Sequence, residues 1–216
     1  MGKITEALKK VTDERLTRIQ KKPVIQYIVK KIANTNVDQH VVAYHDPSSP
    51  ISEQFKMLRT NIQSMRREKN YKTFMITSTI DGEGKTITSL NLAITMAQDL
   101  NNKSILLIEA DMRKSKIGKY LGISRRPGLS ELLQDKVAKD EEVFVSPGIA
   151  NLTIIMAGKK PSNPSELLNS KNMEKYLALF KQKFDYIFID TPPVMPITDA
   201  CILGPMVDGT LMVVQV

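Results

Sequence analysis

Residues 74–90, FMITSTIDGEGKTITSL, constrain the chain more than any other stretch. An apolar, β-rich run leads directly into a loop holding Gly82 and Gly84, and Lys85 and Thr86 then open a helical pattern. A strand that turns into a helix through glycines predicts a phosphate-cradling loop. Without side chains at Gly82 and Gly84 the backbone can wrap closely, so that N–H groups along Asp81, Gly82, Glu83, Gly84 and Ile87 face anionic oxygens. Lys85 would bridge the outer phosphates and Thr86 would offer its hydroxyl to a magnesium ion. Thr79 stands where the usual pattern has its first glycine, and a plain turn ahead of a helix is the competing reading.

Beyond Lys72 the same alternation repeats. FMITS (74–78), SILLIEA (104–110), LTIIM (152–156), FDYIFID (184–190) and GTLMVVQV (209–216) read as strands, with helical stretches at about 86–100, 129–134, 171–183 and 197–203. Strands apolar on both faces and separated by helices predict an α/β fold, a mainly parallel twisted sheet flanked by helices. Two strands end in acids: Glu109 and Asp111 follow one, and Asp190 closes another. At the carboxyl edge of such a sheet these are hard oxygen ligands beside the phosphate loop, as magnesium requires. Asp190 is the expected partner of the metal shell, against the alternative of a strand-end cap. Glu109 and Asp111 could also simply meet solvent.

The 216 residues are 42% apolar, with a net charge of +8. That size buries a core without disulfides or structural metal, and the lone Cys201 excludes an internal disulfide. With no leader pattern and no apolar run of spanning length, a cytosolic location is expected. All of the charge excess lies in residues 1–72, which hold 15 basic and 7 acidic side chains; residues 73–216 hold 16 of each. That basic segment opens on an amphipathic pattern from Lys3 to Gln20, followed by a second possible helix over 24–33 and an Asn-, Asp-, Ser- and Pro-rich stretch expected to be an extended linker closing near Pro50. From Ser52, a plausible N-cap, a helix resumes with Phe55, Leu58, Ile62 and Met65 on one face. The expected division is 1–50 as a basic helical extension and linker and 51–216 as the nucleotide-binding domain. His40 and His45 have no cage of ligands around them, and Arg125 and Arg126 read as an exposed loop pair, against the alternative that they face phosphate or acidic partners. The basic front lacks aromatic interleaving, so nucleic acid is not an expected partner.

With these motifs in order, the sequence from Ser52 to Val216 resembles the bacterial tyrosine kinases of the exopolysaccharide and capsule type, in their stand-alone cytoplasmic form. The matching pieces are LRTNI, STIDGEGKT, LLIEADMR, PGLSELL, AGKKPSNPSELL, FDYIFIDTPP, TDA and VDGTLMVV. The resemblance implies a P-loop NTPase fold, ATP and Mg2+ as cofactors, and transfer of the γ-phosphoryl group to tyrosine. Lys85, Glu109, Asp111 and Asp190 would be catalytic, Thr86, Glu109 and Asp190 would hold the metal, and Arg113 would join the nucleotide site. The family normally has Asp where this chain has Glu109, one methylene longer. Glu53, Lys56 and Arg59 match a pattern that joins subunits into a ring, with Lys56 in place of an arginine and without its bidentate fork; ordinary salt-bridging along a helix is the alternative.

The resemblance further implies a membrane adaptor of the polysaccharide chain-length-determinant type, a homo-oligomeric ring and protein tyrosine substrates. The basic segment would recruit the protein to the inner face of the cell membrane. Family members carry a tyrosine-rich tail; here the last strand runs into Val216, so a C-terminal helix or tail is expected to be missing. Tyr27 and Tyr44 are then the leading acceptors among six tyrosines, with a plain structural role as the alternative for each. A partition or division-site ATPase switch shares the loop but uses a signature lysine where this chain has Ile80. A catalytically weak, nucleotide-binding scaffold is the other alternative.

Overall fold

In a computed structural model, residues 30–31 and 37–215 are described, the first pair as backbone. The amphipathic pattern over 3–20 and Tyr27 lie outside them. Among the described residues seven strands form one sheet: β1 (Lys30–Lys31), β2 (Thr73–Ser78), β3 (Ile105–Glu109), β4 (Phe144–Ser146), β5 (Leu152–Ile155), β6 (Tyr186–Asp190) and β7 (Gly209–Val213). Their order is β1-β4-β5-β3-β6-β2-β7, and every pair is parallel except β4 with β5. The mainly parallel α/β sheet expected from the strand pattern is therefore present. The helices are α1 (Val42–His45), α2 (Pro50–Lys69), α3 (Lys85–Ala97), α4 (Ile117–Leu121), α5 (Leu129–Leu133), α6 (Pro164–Leu168), α7 (Lys171–Lys183) and α8 (Asp199–Leu203).

Successive side chains of a strand face opposite ways, and both faces of this sheet are covered. Ile105, Leu107, Phe74, Ile76 and Phe188 point to one core, shared with Leu90, Ile94 and Ile62 of α3 and α2. Leu106, Ile108, Met75, Ile187 and Ile189 point to the other, against Leu129 and Leu132 of α5 and Met173, Leu177 and Phe180 of α7. Neither face could be polar without opening a cavity or orphaning a buried group, which explains runs such as ILLI.

Four local expectations change. The second helix expected over 24–33 gives way at Lys30–Lys31 to strand, paired in parallel with β4. The extended linker is packed from residue 37 onward: Val41 and Ala43 are buried, Asn91 Oδ1 accepts from Ala43 N at 2.8 Å, and Asn91 Nδ2 donates to His40 O at 3.0 Å. The packed body thus begins before the boundary drawn at 50/51. Helix α2 starts at Pro50 rather than Ser52, because Ser49 is the cap; its side chain accepts from Ser52 N at 3.1 Å, and proline suits the first helical position, where no N–H is needed. Ile62 is buried and Phe55 and Leu58 pack beneath it, while Met65, expected on that face, is exposed.

Candidate active site

Strand β2 delivers the glycine loop to the carboxyl edge of the sheet. Gly82 and Gly84 have φ of +94° and +93°, a conformation that costs other residues and not glycine. Gly84 caps α3, so the helix N-terminus opens on the loop. Glu83 does not face the cradle. Its Oε2 accepts from Thr79 N at 2.7 Å and Ile80 N at 2.9 Å, and those N–H groups hold its carboxyl below the usual range. It staples the loop from outside, and the Thr79 position keeps its shape through this contact.

Lys85 is 4% exposed and lies between two acids, 3.6 Å from Asp81 Oδ1 and 3.5 Å from Asp111 Oδ2. Lys114 closes on the far side of Asp81, and its ammonium holds the Asp81 carboxyl low. The mouth of the loop is a row of alternating charges: Lys114, Asp81, Lys85, Asp111. Asp111 is fixed by Lys114 N, which donates to Oδ1 at 2.9 Å.

Asp190 ends β6, in register with Glu109 on β3 and with Ile76 on β2. Ser89 Oγ lies 3.1 Å from its Oδ1, while Oδ2 is buried without a hydrogen-bond partner among the described residues. Burial pushes the carboxyl up to about 7; the Thr86 hydroxyl beside it, Lys85 and Ser89 oppose the shift, and the Glu109 charge adds to it. A buried carboxylate oxygen with no donor, beside a threonine hydroxyl and a phosphate loop, fits a magnesium ion. No three His, Cys, Asp or Glu side chains converge into a metal cage among the described residues.

Glu109 departs from its expected place. The side chain is fully buried, and Oε1 accepts from Lys116 N at 2.6 Å and Ile117 N at 2.8 Å. Oε2 accepts from Ser115 Oγ at 2.8 Å and Ala157 N at 3.0 Å. Four donors occupy the lone pairs a metal or a tyrosine proton would need. The extra methylene carries this carboxylate into the turn after β3, where it ties residues 115–117 to the end of β5.

Arg113 also turns away from the loop. Its Nε donates to Asp199 Oδ2 at 3.2 Å and its Nη2 to Ser165 Oγ at 2.9 Å, and Ser165 Oγ donates to Asp199 Oδ1 at 2.6 Å. Asp199 is fully buried. One arginine therefore joins the segments ADMR, NPSELL and TDA, a contact between Ser165, Asp199 and Arg113 that the sequence marked only by the presence of the three segments. Likewise PGLSELL and AGKK are stitched edge to edge: Leu129 N donates to Met156 O at 2.7 Å and Ser130 Oγ to Lys159 O at 2.6 Å. A Cβ on Gly128 would collide with Met156 O, which accounts for that glycine.

On α2, Lys56 Nζ donates to Glu53 Oε1 at 2.7 Å on the surface, whereas Arg59 Nη1 donates inward to Thr95 O at 3.0 Å. Tyr44, 41% exposed, is the one exposed tyrosine among the described residues. Tyr176 and Tyr186 are buried, the first donating to Asp140 Oδ1 at 3.0 Å and the second lying 4.6 Å beneath the Arg66 guanidinium. Among the described residues no helix is long and apolar enough to cross a membrane.

A family model described as an AAA domain matches residues 71–215. The chain is 35% identical over 187 residues to the tyrosine-protein kinase YwqD of Bacillus subtilis, covering 87% of this chain and 78% of that protein. The tyrosine-protein kinase wzc of Salmonella typhi is 34% identical over 81% of this chain, which spans only 24% of that longer relative. Among solved structures, the kinase domain of the Escherichia coli tyrosine kinase ETK superposes with a TM-score of 0.78 at 30% identity, covering 85% of this chain and 70% of that one. With its loop, its strand-end acids and these likenesses taken together, the chain belongs to the bacterial tyrosine-protein kinase family built on this AAA domain.

Proposed function

We propose that the protein transfers the γ-phosphoryl group of ATP to tyrosine hydroxyls, its own or those of protein substrates, in the control of exopolysaccharide or capsule synthesis. The observation that carries this is the meeting of three parts at one sheet edge: the glycine loop with Lys85, Asp111 facing that lysine, and Asp190 with an unpartnered buried oxygen.

In this reading the loop amides and the α3 N-terminus hold the phosphates, and Lys85 exchanges Asp81 and Asp111 for phosphate oxygens as nucleotide enters. Thr86 and Asp190 would hold a magnesium ion, which would supply charge neutralisation at the transferred group. Asp111 stays beside the transfer point with one oxygen anchored by Lys114 N and the other free to accept the tyrosine proton. Glu109 is given no part in metal binding or proton transfer, since its oxygens are filled. Arg113 positions the Asp111 turn from outside.

Tyr44 is the leading acceptor among the described tyrosines, with phosphorylation in trans. Glu53, exposed, and Lys56, half-buried and paired with it, remain at the surface for contact between subunits of a homo-oligomeric ring. The basic front of the chain would dock on a membrane adaptor of the chain-length-determinant type or on the anionic inner leaflet, a contact weakened by salt.

Incubation with labelled ATP and magnesium followed by phosphoamino-acid analysis tests the activity. Phosphotyrosine that disappears in Lys85→Met supports the kinase; free phosphate alone would place the chain with ATPase switches, and neither product would leave a nucleotide-binding scaffold.

A further inference from the structure

A pocket of about 400 Å³ opens beside the loop that follows β3, on the side of β3 away from β6. Its charged lining is Arg113, Lys114, Lys119, Arg125, Arg126 and Lys160, with no acid among them. Met112, Met156 and Ile123 form an apolar floor. Arg113 and Lys114 are committed to Asp199 and Asp81. Arg125, Arg126 and Lys160 form no ion pair among the described residues, and the Arg126 Nε is buried with no hydrogen-bond partner. A net-neutral body that gathers this many cations around one concavity, and leaves a buried guanidinium donor unsatisfied, is arranged for an anion.

Position narrows the anion. The loop strand β2 lies beyond β6 from β3, so the order across the sheet edge is glycine loop, Asp190, Asp111 and then the pocket. Lys114 bridges the two, touching Asp81 of the loop and lining the pocket. An occupant therefore lies beside Asp111 and the mouth of the glycine loop, within reach of the phosphoryl-transfer site proposed there. The apolar floor suits the stems and ring of a peptide.

We propose that this pocket binds acidic residues flanking the acceptor tyrosine, making the protein selective for tyrosines in Asp- or Glu-rich segments. Arg125, Arg126 and Lys160 are specificity residues: each attracts a peptide carboxylate, and Arg126 does so with a donor already stripped of water. The inference rests on the tyrosine kinase reading above and deepens it.

The test uses the full chain and two fluorescent peptides, one with glutamates around a central tyrosine and one with glutamines. Equilibrium binding by anisotropy needs no catalysis; phosphorylation kinetics are measured in parallel. The acidic peptide should bind the native protein, and the Arg125→Ala/Arg126→Ala pair should weaken that binding and raise KM about tenfold, as expected for loss of two partly screened charge contacts. The glutamine peptide and the affinity for ATP should not respond. Lys160→Glu, at an exposed site, guards against misfolding of the pair and should act in the same direction. Equal binding of both peptides, or loss of ATP affinity in the variants, would overturn the proposal, the latter by making the pocket part of the nucleotide site. Charge-selective binding without any phosphotyrosine would uphold the pocket while refuting the kinase reading.

Discussion

Glu109→Gln separates a structural acid from a catalytic one. In the native protein Oε1 accepts from two backbone N–H groups and Oε2 from Ala157 N and the Ser115 hydroxyl. An amide keeps one oxygen, so its NH2 must confront at least one backbone donor. The Ser115 hydroxyl can rotate to accept from it, but Ala157 N cannot. A buried N–H left without an acceptor costs about 1–3 kcal/mol, and hydrogen bonds to a charged acceptor give up about 1 kcal/mol more on becoming neutral. The variant should thus lose roughly 2–4 kcal/mol, and at about 2–4 °C per kcal/mol for a chain of this size its melting midpoint should fall by about 5–15 °C. Glu109→Asp keeps the charge but falls short of one of the two segments, and should also melt early. Circular dichroism melts give the stability, and phosphotyrosine formation well below the midpoint gives the chemistry. The expected kcat of both variants lies within about tenfold of native, whereas Asp111→Asn should lose the roughly 10²–10⁴-fold that a positioned general base contributes. If Glu109→Gln melts with the native protein and loses activity on the scale of Asp111→Asn, or if Glu109→Asp gains activity, Glu109 faces the transfer point and the assignment fails.

Asp190→Asn removes a buried carboxylate whose ionised form is held at a cost, so the metal-free variant should melt above the native protein while losing the extra stability that magnesium and nucleotide confer on it; thermal melts with and without magnesium-ATP read both. Tyr176 is pushed up to about 12, first by burial and then by Asp140, so its folded pKa lies above the unfolded value near 10. Its contribution is complete below pH 10 and is lost as pH rises toward 12, because only the unfolded chain can ionise there; Tyr176→Phe should flatten that alkaline decline, read by denaturant melts between pH 8 and 11.

The strands at 73–78, 105–109 and 186–190 could be placed within two residues from sequence, and so could α7 at 171–183. Their patterns are written over consecutive residues: an apolar run covered on both faces, or a helical stripe. Strand β4 has three residues, runs antiparallel to β5 and lies away from the centre of the sheet, so it left no comparable trace. Helix α1 left no local trace because Val41 and Ala43 are buried only by joining the core that α2 and α3 share, with Asn91, 48 residues beyond Ala43, accepting from its N–H, and the short polar composition around them looks like linker.

The same division runs through the site. The placement of Gly82, Gly84, Lys85, Thr86 and Asp190 at one sheet edge was legible because a loop, a helix start and a strand end are local events. The direction of each long side chain was not. Glu109 could have met metal, solvent or protein, and it meets the 115–117 turn and Ala157 because β5 lies beside β3. Arg113 could have met phosphate, and it meets Asp199, 86 residues away, because α6 and α8 pack together and bring Ser165 and Asp199 to its guanidinium. Arg125 and Arg126 read as a solvent-exposed pair, and only the folded chain sets them around one pocket with Lys160. Spacing along a chain encodes which backbone conformation buries apolar surface, whereas the partner of a charged side chain is chosen among groups that the topology brings within a few ångströms, and that choice exists only once the sheet has formed.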